Sequence, residues 1–548
     1  MLISDPAENL CLDGKKALVV DDMGAAVAIA KNMVQALGAR VVDTAGDYKT
    51  AFPMIAKRQY DLILCDFNLG KGLNGQQLLR DLRHIKRISY QTLFIVVSAE
   101  RTKDIVLGTI ECEPDGYIAK PFTQGDFKLR ITRLVEQQQA FQSINLALDN
   151  GEFEEAFKRL DQMAQNEPKY RYLALRKKAG ILYEQQRFAD ALRVFDAALE
   201  PRKPTWARIG RARCLEELGK RQQAISELKD IIDATPLAVA AIDSLATCHL
   251  RDGRRREAQR TVEKSIELSP MSIERQRWLG DISMEIGDVQ TAVKAYQATL
   301  DLASDTLKEN PKLHDTFVRT VRKAIESETD PKRCNDWIAM GKQAIKAARK
   351  KFEEDGQLHL NESLLRSLER FQQGKSEEAI AVIDAAMERH KSLLSEDPEL
   401  VIDIAETKFY TGDLPGAEMI LRKLMKDNPD NPKLRDRIQA IIDTPIPYHK
   451  RLMLNELNRQ GKQSYDAGEY EEALKAFRDA LRVYPYHPAV NLNAVQVMLK
   501  LIEEGSRSPN ALKEASEYLN ACVNLEEAHP EYRRKEAFRK YLAKQLGK

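Results

Sequence analysis

The chain has little that would place it in a membrane, a disulfide scaffold or a nucleic-acid complex. No stretch approaches the roughly 18 consecutive apolar residues of a membrane span. The opening residues, MLISDPAENLCLDGKK, lack a basic segment followed by an apolar core, so a cytoplasmic protein without a membrane partner is expected. The seven cysteines are an odd count with no CxxC pair, which excludes a disulfide framework or thiolate zinc site and leaves reduced structural residues. Aromatics are only 7% of the chain, and 85 Lys and Arg against 83 Asp and Glu leave a net charge of +2. A nucleic-acid footprint would therefore have to be local. No GxSxG, Walker or HExxH pattern occurs, and the histidines have no metal-type spacing.

At 548 residues the chain exceeds one hydrophobic core. Its first 140 residues carry short apolar runs: Ala17–Val20, Arg40–Val42, Leu62–Leu64, Leu93–Val97 and Gly116–Ile118. Val, Ile and Leu with little alternation suit parallel strands buried on both faces, and the stretches between them suit crossover helices. The expected fold is a doubly wound, five-stranded parallel sheet, whose ligand site lies beyond the carboxyl ends of its strands. Asp21, Asp22, Asp66, Ser98 and Lys120 all stand at such ends.

That set has a chemistry. A hard cation such as Mg²⁺ takes carboxylate and carbonyl oxygens and keeps several waters. With it bound, Asp66 is the nucleophile for an incoming phosphoryl group, and Lys120 neutralises the developing oxygen charge. Ser98 is placed to donate to a phosphoryl oxygen. Singly, each residue reads as a helix cap, a turn residue or a solvated lysine.

Together, KALVVDD, DLILCDFNLG, LFIVVSAE and GYIAKPF resemble a bacterial response-regulator receiver domain with a flavodoxin-like fold, over residues 15 to 138. The resemblance implies that Asp66 is phosphorylated by a histidine kinase or phosphotransfer protein. It implies that Asp22 contacts Mg²⁺ directly, Asp21 largely through water, and that the Asn68 backbone carbonyl completes the ligands. It makes Tyr117 the switch aromatic and the Lys120–Pro121 bond cis, and places Asn68 and Glu100 where phosphoryl lifetime is tuned. It also allows a homodimer through the receiver. Gly70 and Gly75 depart from the family, which has Pro four and Gly eight residues after the acceptor; a longer, more flexible loop is expected.

Beyond residue 140 the chain repeats. Ala156, Ala191, Ala224, Ala258 and Ala292 are spaced by 35, 33, 34 and 34, and Gly stands five residues before four of them. Small residues let antiparallel helices approach, Gly makes the turn and Pro ends the pair. The segments GEFEEA, GDVQTA, GKSEEA, GDLPGA and GEYEEALKAFRDALRVYP resemble tetratricopeptide repeats, so an all-α solenoid is expected after the α/β domain. The boundaries read as an arm at 1–14, the receiver at 15–138, repeats at 139–304 and an irregular helical insertion at 305–356. Further repeats follow at 357–442, then a hinge at 443–450 where two prolines interrupt, and a repeat with capping helices at 451–548. The functional expectation is a phosphorylation switch on Asp66 that alters protein contacts of the repeat region. The competing expectations are a constitutive scaffold with a vestigial receiver and, further off, a nucleic-acid-binding regulator.

Overall fold

A computed structural model of the chain describes residues 11–69, 74–85, 87–99, 114–304, 306, 309–504, 510–522, 525, 527 and 529–545. Two compact units divide it: residues 1–282 with 298–309, and residues 283–297 with 310–548.

The first unit opens on the parallel sheet. Strands β1 (Lys16–Val20), β2 (Val41–Ala45), β3 (Leu62–Asp66), β4 (Leu93–Ser98) and β5 (Gly116–Ala119) lie in the order β2-β1-β3-β4-β5. Every pairing is parallel, with Ala17 opposite Leu62, Leu64 opposite Ile95 and Val97 opposite Ile118. Alternate residues of a strand point to opposite faces. Leu18, Val20, Ile63, Cys65, Phe94 and Val96 pack with helices α2 (Tyr48–Lys57) and α3 (Gly75–His84). Ala17, Val19, Leu62, Leu64, Ile95 and Val97 pack on the other side with helix α1 (Gly24–Ala36) and the helix Gln124–Ala140. Burial on both faces is why these strands read as unbroken apolar runs; each buried Leu or Ile contributes about 1.5–3 kcal/mol. The expected helix after Ser98 falls largely on residues 100–113, outside the described residues.

The helix Gln124–Ala140 is started by a Thr123 capping box and runs through Arg133–Gln139. It stops at Phe141, and the next helix, Gln142–Asp149, begins at once. From there the unit is helix pairs, such as Arg171–Glu184 with Phe188–Ala198 and Thr205–Glu217 with Arg221–Ala234. Ala156, Ala191, Ala224 and Ala258 are all 0% exposed, as close helix approach requires. Gly210 shows how tight that approach is: a Cβ there would lie 2.2 Å from the Phe195 ring. Trp206 packs beside that ring, with centroids 6.2 Å apart. Arg251 and Arg254, in the basic run Arg251–Arg256, are paired with Glu216, Glu217 and Asp252.

The second unit continues the pairs. Residues 305–356 hold two long helices, Pro311–Ser327 and Pro331–Arg349, each beginning at a proline after an Asn310 or Asp330 cap. Gly356–Gln372 with Ser376–Arg389, Pro398–Tyr410 with Leu414–Asp427, and Tyr448–Asp466 with Tyr470–Val483 follow. Ala379, Ala417 and Ala473 are again 0% exposed. Among the described residues, no helix is long and apolar enough to cross a membrane.

Candidate functional site

Because every strand of the sheet runs the same way, the residues just past β1, β3, β4 and β5 meet at one edge. Asp21 and Asp22 follow β1, Asp66 closes β3, Ser98 closes β4 and Lys120 follows β5. Asp21, Asp22 and Asp66 offer carboxylate oxygens that all lie within 4.8 Å of one another. The Lys120 ammonium sits between two of them, 2.8 Å from Asp21 Oδ2 and 3.1 Å from Asp66 Oδ1. Asp21 is buried and its Oδ1 accepts from the Met23 N–H at 2.9 Å, which orients the carboxylate. Backbone bonds tie the strand ends together: Phe67 N–H to the Val97 carbonyl and Lys120 N–H to the Ser98 carbonyl, each 2.7 Å.

The electrostatics follow from this geometry. Burial raises the Asp66 carboxyl above the ordinary carboxylate range, with Lys120 opposing that rise and Asp21 adding to it. For Lys120, burial alone would lower the ammonium, but the hydrogen bonds and charges of Asp21 and Asp66 raise it on balance. Three carboxylates beside one ammonium, which pairs with two of them, form a site short of positive charge. Its donors are all oxygen, the set that fits a hard divalent cation such as Mg²⁺ and no soft metal.

Ser98 is buried at 2% exposure, and Tyr117 is half-buried against the core beside α2 and α3. Asn68 is exposed and its backbone bridges to Asn74. The Lys120–Pro121 bond is cis. Glu100 and Gly70 lie outside the described residues. Gly75, expected only as part of a longer loop, has a packing reason the sequence does not display. A Cβ on it would stand 2.4 Å from the Asp66 carbonyl oxygen and 2.8 Å from Cys65 Sγ. The first residue of α3 therefore rests on the backbone of Asp66, and Gly75 N–H donates to the Phe67 carbonyl at 2.8 Å. Cys65 itself is inert: burial pushes its thiol well up, and the charges of Asp66 and Asp21 push it further.

Residues 17–132 match the family described as response regulator receiver domain, and residues 141–205 and 244–305 match the one described as tetratricopeptide repeat. The chemotaxis protein CheY-3 of Vibrio cholerae serotype O1 is 30% identical over 122 residues, which are 22% of this chain and 92% of that protein. The chemotaxis protein CheY of Pseudomonas aeruginosa is 32% identical over 122 residues, 22% of this chain and 97% of its own length. Among solved structures, MamA from Desulfovibrio magneticus RS-1 is 22% identical, covering 31% of this chain and 97% of that one, with a TM-score of 0.27.

Proposed function

We propose, because this chain belongs to the response-regulator receiver family and carries tetratricopeptide repeats behind that domain, that Asp66 accepts a phosphoryl group and thereby switches protein contacts of the repeats. The observation that carries this reading is the Lys120 ammonium held against both Asp21 and Asp66 at one strand edge. In the reaction, an Asp66 carboxylate oxygen attacks the phosphorus of a phosphohistidine on a partner kinase or phosphotransfer protein. The phosphorus–nitrogen bond breaks as the phosphorus–oxygen bond forms, and the histidine departs and takes up a proton. Lys120 moves with the charge and holds a phosphoryl oxygen instead of the bare carboxylate. Ser98, one strand over, donates its hydroxyl to another phosphoryl oxygen, and Tyr117 follows into the space it vacates. Asp21, Asp22, Asp66 and the Asn68 carbonyl would hold Mg²⁺, which when bound neutralises phosphoryl charge.

The output is proposed to be contact with protein. Repeat helices stack small residues inward and leave one face of each pair for partners, and among the described residues the Asp21, Asp22 and Asp66 group is the one set of His, Cys, Asp or Glu side chains close enough to hold a metal ion. The proposed compartment is the cytoplasm, where histidine kinases present their phosphohistidine. The test is incubation of the full chain with Mg²⁺ and a small-molecule phosphodonor carrying labelled phosphorus. Label that appears on the wild type, is released by hydroxylamine as expected for an acyl phosphate, and is absent from Asp66→Asn supports the reading. A wild type that never labels would leave a constitutive scaffold in its place.

A further inference from the structure

The described residues of the first unit include two places where the receiver touches the repeats. One lies at the amino ends of the strands, on the edge opposite Asp66. There Asp149 accepts from the Ser89 hydroxyl at 2.6 Å and from the Tyr90 N–H at 3.1 Å. The Lys177 ammonium stands 5.1 Å from the centre of the Tyr90 ring. The two Asp149 bonds span 60 and 59 residues of chain.

The other contact joins segments far apart in the chain. Gln77 Nε2 donates to the Leu302 carbonyl at 3.1 Å, across a separation of 225 residues. Arg80 Nη1 meets Glu274 Oε2 at 2.9 Å, across 194 residues. Both side chains belong to α3, the helix whose first residue rests on the Asp66 carbonyl.

Gln77 links the two ends of that arrangement. It is only 2% exposed, and its amide is used twice. Its Oε1 accepts from the Asn74 N–H at 3.0 Å, closing the capping box in which Asn74 Oδ1 accepts from the Gln77 N–H at 2.8 Å. Its Nε2 is committed to Leu302. Asn74 in turn bridges to Asn68, two residues past the acceptor. Asn68, Asn74 and one amide side chain thus link the backbone beside Asp66 to Leu302, while the Ser89–Asp149 contact stands apart from that chain of contacts.

We propose that α3 is the output helix of this receiver: in the resting chain Gln77 and Arg80 hold Leu302 and Glu274 of the repeats, and phosphorylation of Asp66 releases that hold. This rests on the reading of Asp66 as phosphoacceptor. The helix Gln124–Ala140 offers the shorter covalent path from the receiver to the repeats. That helix leads to the contact on the far edge of the sheet, whereas α3 begins at the acceptor itself.

The experiment is hydrogen exchange by mass spectrometry on the full chain, with and without Mg²⁺ and beryllofluoride, a stable mimic of the phosphoryl group. Wild type with beryllofluoride should show several-fold faster exchange in peptides covering residues 75–84, 273–282 and 298–304, with residues 142–149 unchanged. Arg80→Glu should raise exchange at 273–282 and 298–304 without beryllofluoride. Adding Glu274→Arg should restore protection, which shows that the variant is folded. If Arg80→Glu leaves the repeat peptides unchanged, the hold is overturned. If beryllofluoride alters exchange at Asp66–Leu69 but leaves 75–84 and 298–304 as they were, the release is overturned while the phosphoacceptor reading stands. If nothing at Asp66–Leu69 responds, the phosphoacceptor reading falls and takes the release with it, and the hold is still judged by Arg80→Glu.

Discussion

Lys120 Nζ lies 3.1 Å from Asp66 Oδ1, although 54 residues separate the two in the chain, and the same ammonium reaches Asp21 at 2.8 Å. Burial already raises the Asp66 carboxyl, and Lys120 opposes this most, with the Phe67 N–H adding to it. Lys120→Met removes the opposing charge and leaves both burial and Asp21 in place, so the Asp66 carboxyl should rise further. A carbon chemical-shift titration of that side chain would show it. Phosphodonor labelling should fall by about tenfold or more, since a preorganised charge at a transferring phosphoryl group is commonly worth that much. Labelling at the wild-type rate would show that Lys120 is only a structural partner of Asp21.

How far such features can be read from sequence depends on how local their cause is. The strands are legible because Ala17–Val20 and Leu93–Val97 are buried on both faces, which composition alone records. The helix pairs are legible because the 0%-exposed alanines recur at a fixed spacing. Gln77 and Arg80 are not legible: on α3 they look like solvated helix residues, and their partners lie 225 and 194 residues away. Gly75 reads as a flexible loop residue until its closeness to the Asp66 carbonyl is known. The missing signal in each case is a contact between distant segments.

Gln186 occupies the turn that glycine takes in the neighbouring repeats. It holds φ 60, where Gly151, Gly219 and Gly253 hold φ 78, 79 and 73. A side chain in this left-handed region costs about 1–2 kcal/mol, part of which glycine gives back through the entropy of the unfolded chain. Gln186 is exposed, so its side chain contributes little packing in return. Gln186→Gly should therefore stabilise the first unit by about 0.5–1 kcal/mol in urea unfolding. Gly219→Ala should destabilise it by a similar amount. A loss of stability in Gln186→Gly would show that the exposed amide makes a compensating contact.

Arg322 is 0% exposed within the helix Pro311–Ser327, a position where a charge cannot be left alone. Its Nη2 donates to Asp403 Oδ2 at 3.2 Å, and Arg319 Nη2 lies 2.8 Å from Asp403 Oδ1. Burial would raise the Asp403 carboxyl, but Arg319 and Arg322 hold it below the usual carboxylate range. Removing one partner of such a pair strands the other charge in the interior, at a cost of about 3–5 kcal/mol. Asp403→Ala should destabilise the second unit by that order in denaturant unfolding. Asp403→Ala combined with Arg322→Met should recover much of it, because the fully buried guanidinium is then gone and Arg319 still has Glu399 and partial exposure to water. No recovery in the double variant would mean that the pair is held in place by other groups.

Asp315, on the same helix, is 4% exposed, and its Oδ1 accepts from Asn361 Nδ2 at 3.1 Å. Burial pushes its carboxyl from the ordinary 3.8 up to about 7, with Asn361 holding it down in part and Asp355 adding to the rise. The folded chain therefore binds this proton more tightly than the unfolded chain. Below about pH 4 both states carry the proton and the group has no effect on the pH slope. Between about pH 4 and 7 only the folded state carries it, so stability falls as pH rises, at about 1.4 kcal/mol per unit. Above about pH 7 the loss is complete, on the order of 4 kcal/mol in all. Asp315→Asn keeps a neutral side chain that can still bond to Asn361, so this slope should vanish. The difference in unfolding free energy between variant and wild type should be small near pH 4, grow in favour of the variant up to about pH 7, and stay level beyond. A difference that does not change with pH would show that Asp315 ionises in the folded chain as it does in the unfolded one.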